Sequence, residues 1–354
     1  MSDAVWSEQR TTPEAIEAAL RELVHELHTQ NGGYVPARVI NMVAFVDRQY
    51  GGEIANRLRG VGRYHASRLI VLAYEPRREH LDARVTVSAE DDPAPGEHSL
   101  LHESVVVELG AVHMDDLLTI VDPLVVTDLP TLLWAPHGHR EAIESLTPLA
   151  QAILLDSVEE SIWREALDHA AAYSEQLYVV DLAWLRSTPW RERIAAAFQR
   201  PQRRVELDTI SRVTVRHHPR FTVSAMLLSG WLASRLHWRV EPLVAHAGAR
   251  AVVSGKAHAR RQDIALSLQA EPEQQVPGLA GLTLGTASGR LLTLDRGPGG
   301  LEAEERSPRG DCRRWTILGA SRGEGGILGE GIRQALLRDP TYTPALRAAQ
   351  AMTP

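Results

Sequence analysis

The chain has 354 residues, of which 44% are hydrophobic and 23% are charged, a composition typical of a soluble protein that buries a core. Its net charge of -7 excludes a general electrostatic attraction to nucleic acid or to an anionic membrane. A single cysteine, Cys312, excludes an intramolecular disulfide and a cysteine zinc site. The N-terminus lacks a signal-peptide pattern and no apolar stretch is long enough to cross a bilayer, so we expect a cytoplasmic protein.

Strand and helix patterns alternate through the first half of the chain. Apolar or alternating runs predict strands at residues 38–46, 67–74, 84–88, 103–109, 131–134 and 152–155. Amphipathic stripes predict five helices. One begins at Thr12-Pro13 and another near Asp115, and the other three cover residues 51–62, 140–146 and 157–172. The acidic, proline-rich segment Glu90–Glu97 is predicted to be a solvated loop. This alternation indicates an N-terminal α/β domain over residues 1–200 with a mixed, largely parallel sheet.

The segment from Leu177 to Phe198 stands at the centre of the chain. Residues 177–180 form an apolar run that predicts a buried strand. Trp184 and Trp190 bracket a short connection, and Thr188-Pro189 predicts a helix start because a hydroxyl can cap and proline loses no bond in the first turn. We interpret the tryptophans as core residues at the join of two domains.

A second domain is predicted over residues 205–354, after a boundary at Arg200–Arg204. It begins with a strand at 209–216 and an almost uniformly apolar helix at 221–236, which we expect at its centre. Short alternating runs between Gly, Pro and acidic turns then predict an antiparallel sheet. These runs lie at residues 250–254, 263–268, 282–284, 291–294, 301–305 and 314–318. With a last helix at 331–337, the pattern indicates an α+β domain.

No phosphate-binding motif is complete in the sequence. At Gly60-Val61-Gly62 the dinucleotide pattern fails, because His65 occupies the third glycine position. The segment Gly323–Gly331 is expected to be a flexible loop, and its backbone amides offer an alternative anion site. The candidates for that site are Gly325, Gly326, Gly329 and Gly331. Glu324 and Glu330 disfavour it, because they place negative charge where a phosphate would lie.

The histidine pair of His137-Gly138-His139 follows a predicted strand, where metal and phosphate sites often occur. Only Glu141 and Glu144 lie near enough in sequence to add a ligand, so surface or capping roles are favoured. There is no Gly-x-Ser-x-Gly nucleophile motif, and Cys312 is interpreted as a bystander thiol. We therefore predict no catalytic site, no metal site and no cofactor.

Six motifs follow one another along the chain. They are residues 67–72 (SRLIVL), 128–134 (DLPTLLW), 154–157 (LLDS), 180–184 (VDLAW), 188–191 (TPWR) and 228–235 (LSGWLASR). Together they resemble the glucose-6-phosphate dehydrogenase assembly proteins, the OpcA family. The ordered set, rather than any single motif, carries the resemblance, which covers most of the chain.

The resemblance implies a non-enzymatic partner of glucose-6-phosphate dehydrogenase that promotes the assembly or activity of that enzyme in the bacterial oxidative pentose phosphate pathway. Exposed aromatic and arginine residues commonly anchor protein interfaces. The partner-binding residues predicted on this ground are Trp184, Arg186, Trp190 and Arg191. The alternative is an α/β protein or enzyme that binds a sugar phosphate or nucleotide through Gly323–Gly331. Nucleic-acid binding is disfavoured, because 45 acidic residues outnumber 38 basic ones.

Overall fold

A computed structural model describes residues 3–30, 34–35, 38–62, 67–89, 99–246, 251–318 and 323–353. The chain divides into two compact units that are both discontinuous in sequence. The first unit comprises Met1–Leu155, Leu177–Val180 and Leu328–Arg338, and the second comprises Asp156–Gln176, Asp181–Ile327 and Asp339–Pro354. The sequence-based division into residues 1–200 and 205–354 stays a prediction.

The first unit is built on a nine-stranded sheet. Its strands are β1 (Asp3–Gln9), β2 (Tyr34–Val35), β3 (Ile40–Asp47), β4 (Ser67–Tyr74), β5 (Asp82–Ala89), β6 (Ser99–Leu109), β7 (Thr131–Trp134), β8 (Ala152–Leu155) and β9 (Tyr178–Asp181). The order is β1-β5-β6-β4-β3-β7-β8-β9, with β2 beside β6. Strands β6, β4, β3, β7 and β8 run parallel to one another, whereas β5 pairs antiparallel with both β6 and β1. The predicted mixed, largely parallel sheet is confirmed.

Four helices accompany these strands in sequence. They are α1 (Pro13–Gln30), α2 (Gly51–Gly62), α3 (Leu117–Val121) and α4 (Arg140–Leu146). Strand β3 is buried along residues 40–46, as its continuous apolar run requires of a parallel strand with both faces covered. The buried Asn41 is the polar exception. Its side-chain amide donates to the carbonyl of Val126 at 3.0 Å and its oxygen accepts from the Val126 amide at 3.0 Å, so no buried polar atom is left unpaired.

The second unit carries another nine-stranded sheet. Its strands are β10 (Ile210–His217), β11 (Arg239–Val240), β12 (Val244–His246), β13 (Val252–His258), β14 (Asp263–Ala270), β15 (Leu279–Thr286), β16 (Leu291–Gly297), β17 (Gly300–Arg306) and β18 (Cys312–Leu318). The order is β11-β13-β14-β10-β15-β16-β17-β18, with β12 beside β13. Pairing is antiparallel except between β10 and β14, which confirms the mostly antiparallel sheet.

Seven more helices complete the described chain. They are α5 (Trp163–Ser174), α6 (Leu182–Arg186), α7 (Thr188–Ala197), α8 (Pro201–Leu207), α9 (Thr222–Arg235), α10 (Gly323–Leu337) and α11 (Tyr342–Ala351). Most predicted helices occur at their expected positions, including the apolar α9, which is buried on nearly every side.

Several sequence-based expectations are wrong in detail. Strand β1 was not expected, and residues 111–116 form a 3-10 turn before α3 rather than an α-helical start. Helix α5 begins at Trp163 instead of residue 157, because Ser157 bonds to a distant aspartate. Most of Arg200–Arg204 forms the start of α8, and a domain boundary at this segment stays a prediction. The predicted loop Glu90–Glu97 lies outside the described residues.

Helices α9 and α11 pack closely within the second unit, and Gly230 lies at their contact. A Cβ atom at Gly230 would overlap the carbonyl oxygen of Ala345 and lie 2.9 Å from the amide nitrogen of Ala349. Neither contact can relax by a side-chain rotation, because both neighbours are backbone atoms. Only glycine lets the two helices approach this closely.

Replacement of Gly230 by alanine is therefore expected to lower the free energy of unfolding by about 1–3 kcal/mol, the usual cost of overpacking. Gly325→Ala is the matched control, because Gly325 lies in α10 with no atom within 4 Å of its would-be Cβ. That control should be neutral or stabilising by up to about 1 kcal/mol, through helix propensity and reduced chain entropy. Urea unfolding compares the two variants, and equal midpoints would contradict the close approach.

Candidate functional site

The central segment of the chain is organised by a buried aspartate. Asp181 ends β9 and is 1% exposed. One carboxylate oxygen accepts from the amides of Ala183 at 2.9 Å and Ser157 at 3.2 Å. The other accepts from the Ser157 hydroxyl at 2.6 Å and from the Tyr342 hydroxyl at 3.1 Å. The carboxylate caps α6 and at the same time ties together three segments that are distant in sequence.

Burial of this carboxylate raises the pKa of Asp181 to about 6, because the charged form loses its hydration. The nearby charge of Asp156 raises that pKa further, whereas the hydrogen bonds from Ser157 and Ala183 lower it. Each carboxylate oxygen of Asp181 already accepts two hydrogen bonds from the protein. The group therefore has the character of a structural junction rather than of an accessible acid or base.

A second buried cluster joins Trp184, Arg191 and Asp339. The indole nitrogen of Trp184 donates to Asp339 Oδ2 at 2.9 Å. The guanidinium carbon of Arg191 lies 3.5 Å from the centroid of the Trp184 ring, a cation–π contact. Arg191 Nη2 donates to the Trp184 carbonyl at 3.2 Å and to Thr188 Oγ1 at 2.8 Å, and its Nε donates to Ser187 Oγ at 3.1 Å.

The two charges of this cluster stabilise each other. Burial lowers the pKa of Arg191 to about 10, partly offset by the charges of Asp339 and Glu192, so the guanidinium stays protonated at neutral pH. Burial alone would raise the pKa of Asp339, but hydrogen bonds from Thr341 and Trp184 and the charge of Arg191 lower it overall. The buried arginine therefore has an ionised counter-charge, 3.6 Å from its Nη1.

The four predicted partner-binding residues differ in exposure. Trp184 is 2% exposed and Trp190 is 3% exposed, so the interpretation of both tryptophans as core residues is confirmed, whereas Arg191 is 9% exposed and its expected exposure is wrong. The physical reason is the cluster above, whose members Trp184 and Arg191 satisfy their polar atoms internally. Arg186 is half-buried and forms a bidentate pair with Asp156 at 2.8 and 2.7 Å. Contact of any of the four with a partner stays a prediction.

The glycine-rich segment is a helix rather than a flexible loop. Helix α10 begins at Gly323, so Gly325 and Gly326 lie in its exposed first turn, while Gly329 and Gly331 lie further inside it. Backbone amides beyond the first turn are donors within the helix and are not available to an anion. The predicted loop is wrong, and the four candidate glycines do not form one cradle.

The histidine pair lies at the carboxyl edge of the first sheet. Strand β3 has β4 as its neighbour on one side, reached through α2, and β7 as its neighbour on the opposite side. The edge between β3 and β7 is therefore the topological switch point, where α/β sheets commonly bind ligands. Here the rings of Tyr50 and His137 are 4.4 Å apart, and the ring of His139 lies 4.8 Å from that of Phe45.

These side chains pack on one another instead of converging on a common point. His139 is the residue before α4, with a left-handed φ of 53°, and its Nε2 lies 3.0 Å from Asp47 Oδ1 without hydrogen-bond geometry. Burial lowers the pKa of His137. Over the parts of the chain that the structure describes, no group of three or more His, Cys, Asp or Glu side chains could hold a metal ion. Nor is any helix in those parts long and apolar enough to cross a membrane.

Comparison with known proteins identifies the family. One family model, described as the glucose-6-phosphate dehydrogenase subunit N-terminal domain, matches residues 59–172. A second, described as the C-terminal domain of the same subunit, matches residues 177–346. The chain belongs to the OpcA family. The second match begins at residue 177, so Asp181 and Trp184 lie near its start, whereas their partners Tyr342 and Asp339 lie near its end.

Curated relatives carry the same family name. A protein of Nostoc punctiforme, named as an OxPP cycle protein OpcA, is 26% identical over 219 residues, which cover 59% of this chain and 43% of the relative. An OpcA protein of Synechococcus elongatus is 28% identical over 141 residues, which cover 39% of this chain and 32% of the relative. The matched part of this chain thus spans less than half the length of these relatives.

Solved structures give weaker likenesses. An apo scyllo-inositol dehydrogenase from Lactobacillus casei has a TM-score of 0.47 at 12% identity, covering 90% of this chain and 96% of that one. A WlbA (WbpB) dehydrogenase from Thermus thermophilus, in complex with NAD and UDP-GlcNAcA, has a TM-score of 0.42 at 12% identity, covering 88% of this chain and 94% of that one. At these scores the likenesses carry no argument about function.

Proposed function

We propose that this protein is a non-enzymatic assembly factor and activator of glucose-6-phosphate dehydrogenase in the oxidative pentose phosphate pathway. The observation that carries the proposal is the pair of family models, both described as subunits of that enzyme, which match most of the chain. The names of the curated relatives, which refer to the OxPP cycle, support the same pathway.

The chemistry of the central segment supports a role without catalysis. Strongly shifted pKa values often mark active sites, but buried ion-pair networks shift them as well. Asp181 and Arg191 have strongly shifted pKa values, and both groups are hydrogen-bonded to the chain's own atoms. A catalytic acid or base must instead reach a substrate atom. Asp181 and Arg191 therefore fit a structural role better than a catalytic one.

The same geometry suggests how the segment serves a partner. Trp184, Trp190 and Arg191 are buried, and we propose that they hold the shape of a binding surface instead of touching the dehydrogenase themselves. Arg186, half-buried and fixed by Asp156, is the member best placed to meet a partner directly, because a preorganised arginine loses little entropy on binding.

The expected result is a complex between the purified chain and its cognate dehydrogenase, with a changed oligomeric state and a higher NADP-dependent rate. Light scattering after size-exclusion chromatography measures the complex, and a coupled absorbance assay measures the rate. The chain alone serves as the control and should show no dehydrogenase activity. Absence of both a complex and a rate change would refute the proposal.

A separate measurement addresses the alternative of a sugar-phosphate- or nucleotide-binding protein. Thermal shift of the chain alone against glucose 6-phosphate, 6-phosphogluconate, NADP and ATP should be flat under the assembly-factor proposal. A saturable shift with one of these ligands, combined with no effect on the dehydrogenase, would favour the alternative. The two functions therefore give opposite patterns in the two experiments.

A further inference from the structure

The sheet of the second unit has two chemically different faces. On β10, Val213 and Val215 are buried, whereas the alternating neighbours Arg212 and Thr214 are exposed or half-buried. Helix α9 contacts β10 and β14. The face of Thr214 carries a row of hydroxyl side chains that are cross-strand neighbours. That row, Ser254, Ser267, Thr214, Thr283 and Thr293, defines what we call the hydroxyl face.

Glycines stand beside the central row of the hydroxyl face. A Cβ at Gly281 would overlap the side chains of Arg216 and Asp295, which form an ion pair across this glycine. Gly285, on the other side of the row, is flanked by Arg212 and Leu291 at 3.6 Å. The central row is therefore made of short side chains, and the longer charged side chains, such as the Arg216–Asp295 pair, lie on either side of it.

Two opposite charges on this face have no ion-pair partner within the described chain. Arg212 on β10 and Glu302 on β17 are both exposed, and neither makes an ion pair with a described residue. Arg216, four residues after Arg212, aligns with Glu302 across β15 and β16. The two charges are thus separated by three strand intervals, about 14 Å, and by four residues along the strands, about 13 Å.

The midpoint between Arg212 and Glu302 falls on the Thr283–Thr293 pair of the central row. Consider a two-fold axis that lies in the plane of the face and passes through this midpoint. If the axis is perpendicular to the Arg212–Glu302 line, rotation about it exchanges the positions of Arg212 and Glu302. It therefore places Arg212 of each copy opposite Glu302 of the other. Because the line is diagonal to the strands, the strands of the two copies cross near a right angle, one of the two ways in which sheets stack.

We propose that the hydroxyl face is the interface of a two-fold symmetric homodimer of this chain. An isologous interface requires a surface that is complementary to itself. The Arg212–Glu302 arrangement is self-complementary, because the two-fold axis generates two equivalent Arg212–Glu302 contacts between the copies. The strands β10 and β13–β18 span about 29 Å by 24 Å, roughly 700 Å² per copy, from the usual strand spacing and rise. Specific, stable interfaces bury about 600–1,000 Å² per partner, and the area of this face lies within that range.

The experiment measures the mass of the full-length chain by light scattering and its self-association by sedimentation velocity. Wild type should sediment as a dimer of the 39.0 kDa chain. The single changes Arg212→Glu and Glu302→Arg should each weaken the dimer at least tenfold, because each creates like charges at two symmetric contacts. The double variant R212E/E302R exchanges the charges and should restore the dimer.

Arg77→Glu is the matched control, since Arg77 is exposed in the first unit and the change in net charge is identical. It should leave the dimer intact, and circular dichroism checks that every variant is folded. Monomeric wild type, or a double variant no better than the singles, overturns the proposal. So does a result in which Arg212→Glu leaves self-association unchanged and abolishes only binding of the dehydrogenase, which would assign the face to that partner.

Discussion

Replacing Asp181 by alanine is expected to lower the free energy of unfolding by about 3–5 kcal/mol, because four buried donors lose their acceptor at once. These donors are the amides of Ser157 and Ala183 and the hydroxyls of Ser157 and Tyr342. The two amides cannot turn toward another acceptor, since the backbone fixes their direction. Urea unfolding followed by tryptophan fluorescence measures the effect at pH 7.

Asp181→Asn is the matched control, because it keeps the size and shape of the side chain. Its carboxamide oxygen can still accept from the two amides, and its NH2 group faces two hydroxyls that can rotate to accept instead of donate. Wild-type stability should therefore be kept to within about 1 kcal/mol. An alanine variant as stable as the asparagine variant would show that the carboxylate is not the junction described here.

The pH dependence of stability separates the charge of Asp181 from its shape. Its folded pKa, about 6, is raised above the ordinary value of 3.8, so the folded state binds the proton more tightly than the unfolded chain. Stability from this group is fully present below pH 3.8 and is lost as pH rises toward 6, by about 3 kcal/mol from the free energy of two pKa units. The asparagine variant should lack this slope. The same slope in both proteins would assign it to other groups.

The sequence predicts most elements of both sheets because their signal is local. The strand at residues 67–74 and the helix at 140–146 agree with the structure to the residue, since periodicity and turn residues lie within each segment. Helix α10 was missed over its first turns, because glycine disfavours helix by about 1 kcal/mol per residue and tertiary packing overrides that preference.

The central site could be predicted only in part. Asp181 and the two tryptophans stand out locally, but Asp339 lies 155 residues after its partner Trp184 and Tyr342 lies 161 residues after its partner Asp181. The sequence predicts Arg191 as an exposed interface residue, and nothing nearby in sequence shows that a tryptophan ring and a carboxylate cover it. Long-range pairing of a buried arginine has no periodic signal, so burial of this residue could not be read from the pattern.

Replacing Arg191 by alanine is expected to lower the free energy of unfolding by about 3–5 kcal/mol, the usual effect of removing one partner of a buried ion pair. The change removes the cation over the Trp184 ring, three hydrogen bonds and the positive charge that lies 3.6 Å from the Asp339 carboxylate. Thermal or urea unfolding measures the loss. The summed tryptophan emission of the native state should shift to longer wavelength, because water reaches the exposed face of the Trp184 ring.

Arg191→Lys tests whether charge alone is sufficient. An ammonium group keeps the charge but cannot stack flat on the indole or reach Ser187 Oγ and Thr188 Oγ1 together, so we expect it to recover less than half of the lost stability. Arg204→Ala is the control, since Arg204 is exposed on the neighbouring helix α8 and should change stability by less than about 0.5 kcal/mol. Full recovery by lysine would show that the planar contact with Trp184 adds nothing, and that only the charge facing Asp339 matters.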